Sequence, residues 1–335
     1  MTIGIATVGA SLALRVGLPS PWLLGAMLGV LLATAARLPV FMPSYTAALI
    51  SLFLGISIAS NIQSDLPQQL REWRGSLLLM LVMLALLLGV LYGFYRHRCA
   101  WSKSDALLSA IPGNLAIVMI FAAQAKLSAS RIALVHSVRL FFLVTTLPLL
   151  FPIVDRASNT VTAEIAWAPL LLAVVSSAGC GWLAQRCRVP AGMLIGALIA
   201  TLLIKFGLGL DIHIPSEAFR WVLVVLGAAT AVRMADLDMA LLRATMKGAL
   251  GGLVLAISIS GGFALLLHFW FDLPLLQALL AYMPGGLEVM VAIAFSVGAD
   301  PVFVATHQLA RMLLMCFALP LLFMRLNPAD KPSEV

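Results

Sequence analysis

Apolar residues run along this chain in twelve blocks, six in each half, with short polar punctuation between them. In the first half the blocks cover about 2–16, 21–37, 44–61, 75–97, 104–125 and 132–152. In the second they cover about 165–186, 190–207, 217–234, 246–270, 273–296 and 302–325. Five runs, Ser76–Tyr95, Ile132–Phe151, Trp167–Leu183, Leu250–Phe271 and Val302–Met324, reach the length of about 20 residues that crosses a hydrocarbon core. An open strand cannot satisfy its backbone in lipid, so every block is predicted to be helical. The polar stretch 154–164 reads as a linker between a first repeat, 1–153, and a second, 165–325, with a polar tail at 326–335.

The two halves repeat each other in register. Residues 43–151 align without a gap on 215–323 at a shift of 172. Gly55 falls on Gly227, Pro112-Gly113 on Pro284-Gly285, Arg139 on Arg311 and Leu147-Pro148 on Leu319-Pro320. The shared residues are mostly helix breakers and charges, which composition alone does not place in register. Such a repeat fixes the architecture before any single motif does. The fifth block of each half is the unusual one, because it carries Pro-Gly near its middle. Proline removes a backbone donor and clashes with the preceding turn, and glycine opens conformations closed to other residues. Breaks are predicted at Pro112-Gly113 and at Pro284–Gly286, which marks both fifth blocks as candidate sites.

Composition agrees with a membrane protein. Apolar residues make up 62% of the chain and charged residues 10%, and the mean hydropathy is +1.06. A soluble domain is about 45–50% apolar and 25% charged. The net charge of +7 comes from basic residues at block ends, so direct nucleic-acid binding is not expected. Cys99, Cys180, Cys187 and Cys316 form no CxxC pair, and no metal site or disulfide is expected from them. No basic leader with a cleavage site opens the sequence, and the short first block leaves room for a start further upstream.

Charge counting bears on topology. If all twelve blocks cross, Lys and Arg in the connecting loops divide 9 to 10 between the two sides. If each fifth block re-enters instead, every half crosses five times, the halves are inverted, and the division becomes 13 to 6. The heavy side includes Arg37, Arg96, Lys126, Arg131, Arg186, Arg243 and Arg325. By the positive-inside rule that side is cytoplasmic, with both termini on it. The expected fold is thus an all-α polytopic membrane protein of two inverted repeats, each with five crossings and one broken or re-entrant segment.

Few residues can carry chemistry at this depth. Arg139 and Arg311 lie inside the sixth blocks, where a charge costs at least about 2.5–3.5 kcal/mol on insertion scales. Each therefore needs a partner: a carboxylate, freed carbonyls of its own broken segment, or an anionic ligand. His136 and Gln308 precede the arginines by three residues and share their helix face, and His307 precedes Arg311 by four. Glu288 follows the second break and has Ala116 as its counterpart, so the carboxylate exists in one half only. It is the candidate for proton or cation coupling, or for pairing with an arginine. The substrate-binding candidates are Pro112, Gly113, Asn114, Arg139, Pro284, Gly285, Gly286 and Arg311, with His136, His307 and Gln308 as secondary candidates. Met119, Met283 and Met290 read as packing. The Gly25/Gly29 pair, matched in part by Gly192/Gly196, reads as close helix packing. No HExxH, GxSxG or GxxxxGK pattern occurs, so neither an enzyme nor a cofactor is expected.

The stretches Leu18–Met27, Pro112-Gly113, Pro284–Met290 and Val297–Asp300, together with Arg139 and Arg311, resemble the AbrB-like bacterial membrane protein family, which carries the AbrB duplication. The resemblance covers nearly the whole chain. The sequence departs from that pattern at Asn114, where a second glycine is expected, and at Ala116. Family members are often labelled regulators of gene expression or ammonia monooxygenases. The resemblance implies a multi-pass protein of the bacterial inner membrane.

The expected function is secondary transport of a small solute, with an organic anion as the class in view, at a site between the two broken segments. A membrane-embedded sensor acting indirectly on gene expression is the alternative, and a membrane-bound monooxygenase is a second one. The expected partners are the lipid bilayer and a small molecule or ion, with a homodimer as one assembly open to the chain.

Overall fold

The computed structural model describes residues 1–113, 115–124, 127, 129–150, 166–235 and 239–326. The linker 154–164 and the tail after 326 lie outside them. Among the described residues all regular structure is helical. The first repeat forms α1 (Thr2–Val16), α2 (Pro21–Ala35), α3 (Tyr45–Asn61), α4 (Leu66–Glu72), α5 (Arg74–Gly93), α6 (Lys103–Ala110), α7 (Leu115–Gln124) and α8 (Ala129–Leu150). The second forms α9 (Trp167–Arg186), α10 (Gly192–Leu202), α11 (Ser216–Ala235), α12 (Met239–Phe271), α13 (Leu275–Tyr282), α14 (Leu287–Val297) and α15 (Pro301–Leu326). Among the described residues five helical segments are long and apolar enough to cross a bilayer: Arg74–Arg98, Ala129–Leu150, Trp167–Arg186, Ala240–Phe271 and Pro301–Arg325. Large apolar side chains stand on their outer faces, as Leu78 (64% exposed) and Val82 (59%) do on α5. In a soluble protein such a face would be an aggregation hazard, and in a membrane protein it meets lipid.

The helices begin and end where local chemistry dictates. Pro21 opens α2, where its missing N–H would have been unpaired in any case. Gly17 closes α1 in the left-handed region, with Gly17 N–H on the Leu14 carbonyl and Leu18 N–H on the Ala13 carbonyl. Arg188 closes α9 in the same way, with Arg188 N–H on Gln185 O and Val189 N–H on Ala184 O. Left-handed residues other than glycine are rare, yet here they recur in register. Ser20 and Ala191 have φ of 49° and 50°, and Ala100 and Asp272 have 54° and 53°. The sequence repeat is therefore also a repeat of backbone conformation.

Three features depart from the expected blocks. The loop after α3 contains the short helix α4. α12 begins at Met239 rather than near 246, since Arg243 and Lys247 interrupt the apolar run over its first turns. Phe94–Arg98 and Leu203–Gly207 are wound as π-helical turns that extend α5 and α10. Small residues on α12 accommodate the first of these turns: an added Cβ on Gly251 would lie 2.4 Å from Phe94, and one on Gly252 would meet the Tyr95 hydroxyl.

Two compact units emerge, and neither coincides with a repeat. One is made of Met1–Pro67, Val144–Asp236 and Glu288–Ala305, and holds the first three segments of both repeats. The other is made of Gln68–Leu143, Leu237–Leu287 and Thr306–Val335, and holds most of the last three.

Within the first unit the packing is reciprocal. α1 packs on α2 as α9 packs on α10, and α2 packs on α11 as α10 packs on α3. The glycines explain how. An added Cβ on Gly55 of α3 would lie 2.6 Å from the Leu194 carbonyl oxygen and 2.7 Å from Ala197. One on Gly227 of α11 would lie 2.4 Å from the Leu23 carbonyl oxygen and 3.1 Å from Ala26. Leu23 and Ala26 are the repeat counterparts of Leu194 and Ala197, so each half lends its second helix to the third helix of the other. The second helix of each repeat is thus exchanged for packing on the third helix of the other. The Gly25/Gly29 and Gly192/Gly196 pairs act likewise inside each half: Gly25 meets Ala13 and Gly9, and Gly196 meets Cys180 and Gly181.

This packing predicts that Gly55→Ala and Gly227→Ala each destabilise the protein by about 1–3 kcal/mol through overpacking against backbone. Gly179→Ala, where no atom lies within 4 Å of an added Cβ, should leave stability unchanged. Thermal unfolding of the three variants in detergent checks both statements.

Candidate functional site

Both predicted breaks are present, and both fall in the second unit. α6 ends at Ala110 and α7 starts at Leu115, while α13 ends at Tyr282 and α14 starts at Leu287. The residue before each proline turns extended, with Ile111 at φ −62°, ψ 122° and Met283 at φ −61°, ψ 136°. Proline imposes this on its predecessor by steric clash. Ile111 N–H still reaches Leu107 O, and Met283 N–H still reaches Leu279 O. After that the ladder stops. Gly113 takes φ 145° with open space where a Cβ would be, so glycine is required there for conformation rather than for room. Asn114 lies outside the described residues, as does Lys126.

The carbonyls freed at each break are taken up by the sixth segment, in a pattern that repeats. Arg139 Nη2 donates to Ile111 O at 3.2 Å, and Arg311 Nη1 donates to Met283 O at 2.6 Å. His136 Nε2 meets Leu108 O at 3.0 Å, and Gln308 Nε2 donates to Leu280 O at 2.7 Å. All four contacts span 28 residues. A second hydrogen bond joins each pair of arms: Arg139 Nη2 lies 2.8 Å from His136 Nδ1, and Arg311 Nη2 donates to Gln308 Oε1. Arg311 Nη2 also reaches Gly285 O at 2.8 Å. Guanidinium nitrogens only donate, so His136 Nδ1 accepts and His136 Nε2–H donates to Leu108. This fixes the tautomer of a neutral imidazole. A neutral imidazole and a glutamine amide each offer one donor edge and one acceptor edge, which is why two such different residues fill equivalent places.

The arginines are almost fully enclosed, Arg139 at 5% exposure and Arg311 at 2%. Neither takes part in the ion pairs found among the described residues, Arg131–Asp105 and Arg220–Glu217. Two buried polar atoms beside the breaks have no hydrogen-bond partner among the described residues: Arg311 Nε, and Ser109 Oγ in the last turn of α6.

The remaining candidates have other surroundings. Pro112, Pro284 and Gly285 are buried in the breaks, and Gly286 is half-buried. His307 faces Ser76 Oγ at 2.8 Å, and Tyr282 Oη donates to the Ser76 carbonyl, so these two groups fasten α15 and α13 to the first turn of α5. Glu288 belongs to the first unit. It sits in the first turn of α14, where the helix dipole favours a carboxylate, and its Oε1 accepts from Ser51 Oγ at 3.2 Å. The arginines thus have carbonyl partners and the glutamate a hydroxyl partner. Met283 and Met290 are packed in the core. Among the described residues no three His, Cys, Asp or Glu side chains converge. The carbonyl partners, Ser76 and Ser51 carried no sequence motif; the repeated spacing between the Pro-Gly pairs and the arginines was the one available signal.

Residues 22–327 match the family model described as "Transition state regulatory protein AbrB". The chain belongs to the AbrB family. "Uncharacterized protein YhjN" of Bacillus subtilis (strain 168) is 25% identical over 319 residues, covering 86% of this chain and 82% of that protein. "Putative regulator AbrB" of Escherichia coli (strain K12) is 23% identical over 320 residues, covering 89% and 88%. No solved structure matches the chain.

The shared donor–acceptor logic of His136 and Gln308 predicts that His136→Gln keeps near-native stability. His136→Leu leaves a buried carbonyl and a guanidinium donor unpaired, at a cost of about 1–3 kcal/mol. Arg311→Lys loses the forked grip on Met283 and Gly285, at a similar cost of about 1–3 kcal/mol. Thermal unfolding in detergent reads all three, and a His136→Leu protein as stable as the parent would overturn the assignment.

Proposed function

We propose that this AbrB-family chain is a secondary transporter of a small solute, with an organic anion as substrate and the two broken segments as its site. One observation carries the reading. Two guanidinium groups are buried in one compact unit, without a carboxylate partner among the described residues. Carbonyl dipoles hold them in place but do not cancel their charge, and an anion does. The unpartnered Arg311 Nε and Ser109 Oγ add polar atoms that a ligand or water can satisfy. Interrupted helices at equivalent places in two repeats are the arrangement that transporters use for binding. The step from that arrangement to transport is fold-level analogy.

In this reading the two repeats are inverted in the cytoplasmic membrane of a bacterium with both termini inside, as the loop charges favour. Glu288, carried by one repeat only, couples a proton or cation. The printed name of the Escherichia coli relative favours a second reading, a membrane-embedded sensor that binds at the same place and signals to a cytoplasmic partner.

Uptake into proteoliposomes, driven by a proton or sodium gradient and tested with a panel of small organic acids, separates the two. Transport predicts gradient-dependent flux of at least one acid. Glu288→Gln should uncouple that flux from the gradient, and Arg139→Lys should reduce it at least about tenfold, the equivalent of one lost charged contact. Absence of flux for every acid, with a ligand-dependent rise in Tm intact, would replace the transporter with the sensor.

A further inference from the structure

The first unit contains a cavity that includes none of the residues of either break. It has a volume of about 520 Å³ and is lined on one side by Ser57, Ser60 and Asn61 from the end of α3. Its other walls come from Lys205 in the π-helical turn after α10, from residues 211–214 of the following loop, and from Phe219 and Phe295. That volume is within the ordinary range of small-molecule sites. Phe219 and Phe295 stand 5.2 Å apart between ring centroids and, with Ile212 and Ile214, form an apolar wall.

The charges in this cavity are arranged unusually. Lys205 is half-buried, and its ammonium donates to Ser60 O at 2.6 Å and to Ile62 O at 2.9 Å, 6.0 Å from the Phe206 ring. Those bonds cap the free carbonyls at the end of α3 and hold the ammonium still, leaving one of its three donors. Asp211 lines the same cavity at its exposed edge, beside the exposed His213. Lys205 and Asp211 form no ion pair with each other. One cavity therefore presents a fixed cation, a separate carboxylate and an apolar wall. A simple anion there meets the repulsion of Asp211, and a simple cation meets that of Lys205. A molecule carrying both charges and an apolar body meets neither.

We infer that this cavity is a binding site for a zwitterionic apolar solute, an α-amino acid with an aliphatic or aromatic side chain. Its carboxylate faces Lys205, its ammonium faces Asp211, and its side chain lies on Phe219 and Phe295. The site uses neither Pro-Gly turn and neither buried arginine, and it meets the second broken segment only through Phe295 on α14.

The test is thermal unfolding and equilibrium binding of the full chain in detergent. The probes are L-leucine, L-phenylalanine, isovalerate, which lacks the ammonium, and isoamylamine, which lacks the carboxylate. Leucine or phenylalanine should raise Tm in a saturable manner, and the two singly charged probes should bind about tenfold or more weakly. Asp211→Asn, on an exposed loop, should weaken leucine about tenfold while leaving isovalerate unaffected or improved. Lys205→Gln should weaken leucine and spare isoamylamine. Should that variant fail to fold because the end of α3 loses its cap, Asp211→Asn alone decides. No Tm response to either amino acid, equal binding of leucine and isovalerate, or an Asp211→Asn protein that binds leucine as the parent does would each overturn the assignment.

Discussion

The structure turns on one exchange: two membrane helices are interrupted, and the carbonyls they release are taken over by a guanidinium from a neighbouring helix. A broken helix in an apolar surrounding leaves backbone groups that water cannot reach, each worth several kcal/mol if left unpaired. Proline and glycine create that debt at Ile111–Gly113 and Met283–Gly286, and Arg139 and Arg311 discharge it 28 residues later. Neither feature is tolerable alone. Without the arginine the break would be a defect, and without the break the arginine would be an unsolvated charge. Their joint recurrence is therefore a single structural device present twice.

Much of this was legible in the sequence because helix breakers and buried charges are costly and few. The twelve apolar blocks correspond to the observed helices, the two Pro-Gly pairs mark the breaks, and the five longest runs are the five segments of spanning length. The features that escaped reading leave no trace in hydropathy. α4 is polar, the first turns of α12 carry Arg243 and Lys247, and a π-helical turn differs from an α-turn by one residue of register. The partners of the candidate side chains were equally hidden. A carbonyl oxygen belongs to every residue, so nothing in Leu108, Leu280 or Met283 announces an acceptor. The glycines were read correctly as close packing, but their exchange between repeats needed coordinates.

The two copies of the device are alike in wiring, while the repeats that carry them differ in acidic residues. His136 and Gln308 serve the same carbonyl and the same guanidinium, so the framework tolerates a change of chemistry that preserves donor and acceptor edges. Glu288, by contrast, has no acidic counterpart, because Ala116 stands at the equivalent place. The fold is thus duplicated while the titratable equipment is not, and whatever differs between the two ends of the molecule in function is carried by a small number of side chains on a common frame.

The reciprocal fit of Gly55 with Leu194 and of Gly227 with Leu23 has a consequence for biogenesis. As the chain leaves the ribosome, α2 and α3 are made long before α10 and α11, the surfaces against which they close. On its own the first repeat therefore lacks the surfaces that cover Leu23 and Gly55, which come from around Gly227 and Leu194. The packing of this unit is therefore completed only once the second repeat has been made.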